Sequence, residues 1–254
     1  MSYLLDAIKG FLLAIGFLTI IPVKSNWRFD NKISATMLLF FPVAGLVIGF
    51  LLAGTNIFLS FFLLNRFLIN SILIILLIVI TGSLHLDGLA DTFDGFLSRK
   101  NRADILKVMK DSHIGTMGAL SLICIILIKL ALLSALRTDC ISSALILMVC
   151  LSRYYLVFLI FCFPYAREEG KAKIFFDSMN RRIFLLATVV TLFLSYSILN
   201  IKGLIIFALL MPIIFLFGSF IKNKIGGMTG DTLGAINEFC EVAILFMCLI
   251  FYKI

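Results

Sequence analysis

Charge is scarce in this chain: 14% of its 254 residues are charged and 62% are apolar. Soluble domains carry about 25% charged and roughly 45–50% apolar residues, so that class is excluded. Histidine is nearly absent; His85 and His113 are the only two, and a lone histidine reads first as a hydrogen-bonding residue. The six cysteines show no CxxC pairing, which leaves them as small buried hydrophobes. No basic aromatic platform accompanies the net charge of +8, so nucleic acid is not an expected partner. No signal-peptide pattern is visible, and residues 3–21 are expected to form a structural segment. No repeat or low-complexity linker divides the sequence, so 1–254 is expected to be a single integral membrane catalytic domain.

Long apolar runs fill the chain instead. A spanning helix needs about 20 apolar residues. Candidates are 3–21, 34–63, 66–84, 114–136, 140–163, 183–200, 203–221 and 231–252. The expected fold is all-α: a polytopic integral membrane helix bundle of about seven to eight transmembrane or re-entrant helices. The first segment carries Asp6 and Lys9 and either spans or lies in the interface. In 34–63, Pro42 with Gly45, Gly49 and Gly54 predicts a kink or break. Alternate loops (22–33, 85–113, 164–182 and 222–230) hold all the loop lysines and arginines except Arg66, Arg137, Lys202 and Lys253. The positive-inside rule puts that richer set in the cytoplasm, with the chain in the cytoplasmic membrane and the lipid bilayer as its partner. Every motif-bearing loop falls on that side.

The first motif is HLDGLADTFDG, from His85 to Gly95. Asp87, Asp91 and Asp94 are spaced i, i+4, i+7, so on a helix they share one face. Like charges so placed repel unless a divalent cation sits among them, and hard carboxylate oxygens suit Mg2+. The plain alternative is a solvated acidic loop, which seldom keeps helical spacing. His85 stands two residues before Asp87 and is taken as a candidate for catalysis with Asp94 and Asp111.

Three further clusters join it. In KDSHIGTMG, Asp111 is a candidate metal ligand or general base. The backbone amides of Gly115 and Thr116, at a helix start, are candidates to hold a phosphate oxygen; a simple N-cap is the plain reading. In GGMTGDTLGAINEFCE, glycines up to Gly230 precede a helix and form a candidate anion nest. Asp231, Glu238 and Glu241 there share a face. Carboxylates inside a span mark a functional site by default, against the alternative of pairing with Lys129 or Arg153. In YAREEGK, Arg167 and Lys171 are candidates to clamp a diphosphate, with Arg99 and Lys110.

Two resemblances follow. DTFDGFLSR, Asp91 to Arg99, is similar to the first half of the CDP-alcohol phosphotransferase signature DxxDGxxAR, with Ser98 for Ala. The second half is unmatched, since Val108 stands where its glycine belongs. Taken together, FLTIIP (17–22), GSLHLDGLADTFDG (82–95), DSHIGT (111–116), YAREEG (165–170) and GDTLGA (230–235) with Glu238 resemble the cobalamin synthase family of adenosylcobinamide-GDP ribazoletransferases. That resemblance covers nearly the whole chain. It implies a Mg2+-dependent phosphotransfer. A hydroxyl of α-ribazole, or of its 5′-phosphate, attacks adenosylcobinamide-GDP and GMP leaves, giving adenosylcobalamin or its 5′-phosphate. Asp87, Asp91, Asp94 and Asp111 would hold the metal. Gly230, Asp231, Glu238 and Glu241 join the substrate-binding set. Other cobalamin-assembly enzymes are allowed as partners and oligomeric state is left open. The alternatives are a phospholipid-type CDP-alcohol phosphotransferase and an ion- or proton-coupled transporter. The transporter reading uses Lys129, Arg153, Glu238 and Glu241 as a relay and leaves the aspartates unexplained.

Overall fold

A computed structural model describes residues 2–23, 30–98 and 101–253. Among these the regular elements are helices: α1 (Ser2–Leu18), α2 (Asn31–Ser60), α3 (Arg66–Ile80), α4 (Leu84–Leu97), α5 (Arg102–Val108), α6 (Thr116–Ala135), α7 (Ile141–Cys162), α8 (Lys173–Ser178), α9 (Arg181–Ile225) and α10 (Gly230–Lys253). Five helices are long and apolar enough to cross a membrane: α2, α6, α7 with its 3-10 lead-in, α9 and α10. The chain is thus an all-α, multi-pass membrane bundle.

α9 contains two of the expected spans. Leu199 and Asn200 leave helical geometry inside it. On the first arm, Thr188 Oγ1 lies 3.0 Å from Tyr154 Oη, and Phe184 stacks on Phe161 at 4.1 Å. On the second, Phe207 O accepts from Tyr155 Oη and Phe215 sits 5.3 Å from Phe163. One arm therefore runs antiparallel to α7 and the other parallel to it, as a helical hairpin.

α7 is the central element, buried along most of its length. It is also where the expected break in α2 disappears: α2 runs on through Pro42 for 30 residues. A side chain at Gly45 or Gly49 would collide with the α7 backbone at Val149 and Ile146. The small residues are there for close helix contact, and that packing offsets the hydrogen bond the proline removes. α1, at 17 residues, is at the short end of the lengths that can span. It leans on α2 through Phe11 and Phe40, and Asp6 pairs with Lys32 at 2.5 Å.

α3 ends after 15 residues. Gly82 and Ser83, both at positive φ, turn the chain by 87° into α4. α3 and α4 together make a broken span or a re-entrant pair, and α4 packs against α6 and α10. All six cysteines are free, with Cys140, Cys150, Cys240 and Cys248 buried.

Candidate active site

The segments after α4, α7 and α9 meet at one end of the bundle. Met228 N–H donates to Pro164 O and Ala166 N–H to Met228 O, both at 2.8 Å, in a single parallel bridge. Arg102 reaches Ala166 O at 3.4 Å, and Lys224 Nζ donates to Phe96 O at 2.9 Å. These ties fix the start of α10 beside α4. A Cβ on Gly88 would sit 2.6 Å from Asp231 O, so only glycine lets the two backbones touch there.

A cavity of about 560 Å3 opens at this junction, and its charged lining residues are Asp87, Asp231, Lys110, Arg167 and Lys171. Arg167 Nη2 lies 2.8 Å from Asp231 Oδ2, while its buried Nε has no hydrogen-bond partner. Gly230 lines the same cavity. So does His85, whose buried Nε2 meets no protein partner. Asp91 lies one turn beyond Asp87. Burial, and then the charges of Asp87, Asp231 and Asp94, push its carboxyl up to about 7, with Arg167 opposing. Burial is the larger cause, and the crowding of like charges adds to it.

Asp94 shares this face but has another task. Gly115 N–H donates to its Oδ2 at 2.7 Å and Gly118 N–H to its Oδ1 at 2.8 Å. The anion at the α6 N-terminus is therefore this chain's own carboxylate where a phosphate oxygen was expected on Gly115 and Thr116. Asp111 stands apart, exposed, accepting from the His113 amide (3.1 Å) and ring Nδ1 (2.7 Å). Those hydrogen bonds hold its carboxyl below the ordinary range, which weakens it as a base. Arg99 lies outside the described residues.

Glu238 and Glu241 do not line the cavity. They form a buried network, Lys129 Nζ to Glu238 at 2.7 Å and to Glu241 at 2.5 Å, with Arg153 Nη1 and Asn237 also on Glu241. This is the pairing weighed against a substrate role. Sequence reasoning missed the apolar wall of the cavity, Phe17, Phe41 and Phe175. The motif FLTIIP contains Phe17, but nothing in its spacing pointed to a site.

A sequence model of the family described as cobalamin-5-phosphate synthase matches residues 10–249. The chain belongs to that family. It is 34% identical over 240 residues to an adenosylcobinamide-GDP ribazoletransferase of Caldanaerobacter subterraneus subsp. tengcongensis, covering 94% of this chain and 96% of that one. Proteins of the same name from Clostridium botulinum strain Okra and Acetivibrio thermocellus are each 38% identical. They cover 95% and 96% of this chain, and 98% of their own. No solved structure matches. Membership makes the chain an enzyme, a transferase of phosphate-containing groups in cobalamin biosynthesis, and sets the transporter and phospholipid readings aside.

The donor set suits a hard divalent cation, since Asp87, Asp91 and Asp231 offer only carboxylate oxygens. They are not gathered on one point: among the described residues no three Asp, Glu, His or Cys side chains form a ready metal site.

Proposed function

We infer that this enzyme joins α-ribazole, or its 5′-phosphate, to adenosylcobinamide-GDP and releases GMP. The observation that carries this is one cavity lined by both carboxylates, Asp87 and Asp231, and cations, Arg167, Lys110 and Lys171. The names of the relatives supply the substrates. A ribose hydroxyl attacks the phosphorus that bears cobinamide. The bond from that phosphorus to the oxygen of GMP breaks, and the hydroxyl proton passes to an aspartate of the cluster. Arg167, Lys110 and Lys171 are placed to bind the diphosphate oxygens and stabilise charge on the departing phosphate.

Asp87, Asp91 and Asp231 would hold Mg2+, which when bound supplies charge neutralisation at the phosphates. Asp94 supports the set by fixing α4 to α6. His85 and the Phe17 wall exclude water from one side of the cavity, which strengthens the charge interactions within it. The loop-bearing end would face the cytoplasm, a reading supported by the lysines and arginines concentrated in its loops.

A turnover assay in nanodiscs tests the reading. Adenosylcobinamide-GDP and α-ribazole are combined with Mg2+, then with EDTA, while GMP and the corrinoid product are followed. Formation of both products with Mg2+ and neither with EDTA is expected. No product from folded protein overturns the reaction, and product in EDTA overturns the metal.

A further inference from the structure

A second cavity, of about 520 Å3, adjoins the first at the loop-bearing end and is walled by Lys107, Glu168 and Glu169 with short apolar side chains of α5. The two cavities share only Lys110 and Arg167 among their lining residues. Both shared residues are cations, so the boundary between the cavities is the place with affinity for a phosphate group.

The inner cavity differs in kind from the outer. Its lining includes an aromatic cluster drawn from three elements. Phe17 of α1 stacks on Phe41 of α2 at 6.0 Å, and Phe175 of α8 meets them edge-on at 4.9 and 5.5 Å. Phe41 and Phe175 are almost wholly buried, while Phe17 keeps 36% of its surface exposed. A pocket of this size, lined by an aromatic cluster and by a few charged side chains, fits a ligand with one flat apolar part and one polar part. It is too small for a corrinoid nucleotide as a whole.

We propose that the inner cavity seats the flat, uncharged bicyclic base of the acceptor nucleoside against Phe17, Phe41 and Phe175, that the outer cavity holds the nucleotide leaving group, and that Lys110 and Arg167 grip the phosphate between them. This rests on the reaction inferred above. It assigns acceptor selectivity to the three rings: a dimethylated benzimidazole sets an apolar benzo edge against them and leaves a single ring nitrogen to be paired elsewhere, whereas a purine buries several ring nitrogens and an amino or oxo group that this wall cannot meet. It also gives the transfer a direction, since acceptor and leaving group lie on opposite sides of the shared cations.

The test uses the full-length protein in nanodiscs with Phe17→Ala and, as a milder change that keeps apolar volume, Phe175→Leu. The KM for α-ribazole is expected to rise about three- to tenfold in each, the worth of one aromatic contact. The KM for adenosylcobinamide-GDP should stay as in the unaltered enzyme, and discrimination against adenosine as acceptor should narrow. A rise in the KM of the corrinoid donor instead, or no change for α-ribazole in a folded variant, overturns the assignment. Direct binding of α-ribazole, followed by the fluorescence of its benzimidazole ring, separates this idea from the reaction. Binding that weakens in both variants, without turnover in the unaltered protein, sinks the reaction and keeps the pocket. No binding to the unaltered protein sinks the pocket.

Discussion

Two groups of charged side chains lie within the same bundle, and they are built on opposite terms. Inside the span region, Lys129 and Arg153 face Glu238 and Glu241, cation for carboxylate, all four nearly sealed from solvent. At the loop end, Asp87, Asp91 and Asp231 crowd together with Arg167 as the cation in contact, beside an open cavity. The inner group is matched in charge, two cations to two carboxylates, as a buried group must be to persist in an apolar medium. The outer group is short of positive charge, and water is at hand to tolerate the deficit. Balance identifies the group that holds helices in register, and imbalance identifies the group waiting for a ligand. His85 touches both worlds: it lines the cavity, and the inner charges are its electrostatic neighbours.

The sharpest way to break this contrast is Glu241→Gln. It leaves Arg153 and Lys129 short of a buried partner, a change that costs about 3–5 kcal/mol when one member of a buried pair is lost. Thermal unfolding in detergent should show the loss, and whatever protein stays folded should keep its kcat. A collapse of kcat in a protein of normal stability would move the inner network into the chemistry. The mirror experiment is Asp87→Asn or Asp91→Asn. Here stability should hold while turnover falls about 10²-fold or more, the scale on which a lost electrostatic partner of the transition state is felt. Near-normal rates in both variants would remove the carboxylate site.

Asp94 tests where the outer group ends. It shares the helix face of Asp87 and Asp91, yet both its oxygens are committed to Gly115 and Gly118. Asp94→Ala should therefore lose about 0.5–2 kcal/mol, as removal of a helix cap does. Asp94→Asn, which keeps one acceptor oxygen, should lose less. Equal loss of turnover in both, with stability unchanged, would return Asp94 to the metal set.

Sequence alone went far with the elements and less far with the partners. The apolar runs located the long helices to within a few residues, because lipid leaves the backbone no alternative to helix, though five of those helices, not seven or eight, are long and apolar enough to cross a membrane. They split α9 correctly into two arms at Asn200. The i, i+4, i+7 rule put three aspartates on one face of what is indeed a helix, α4. What the spacing could not reveal was which neighbour each would meet. Asp94 turns to α6 because four amides at that helix start need acceptors, a fact about a segment twenty residues away. Pro42 misled for a related reason, since its cost is set by how tightly α2 sits on α7 and not by its own neighbours in the chain. The wall of Phe17, Phe41 and Phe175 joins residues from opposite ends of the sequence. In a chain with 26 phenylalanines, no pattern sets those three apart.

Titration offers the finest comparison of the two groups. Asp91 carries a carboxyl raised to about 7 from the ordinary value of 3.8, by burial first and then by Asp87, Asp231 and Asp94. A raised carboxyl binds its proton more tightly in the folded state. Its contribution to stability is therefore full below about pH 4 and is lost as pH climbs through 7. In EDTA, the melting temperature should decline between pH 5 and 8, and Asp91→Asn should flatten that decline. Added Mg2+ should flatten it too in the unaltered protein, since a cation among the carboxylates favours their charged form against both the burial and the repulsion that raised the carboxyl. The balanced inner network predicts the contrary for Glu241→Gln: a lower melting temperature with the same slope over that range. If the slope survives in Asp91→Asn, the repulsion sits elsewhere on the α4 face, and Asp87 with Asp231 becomes the pair that draws in the metal.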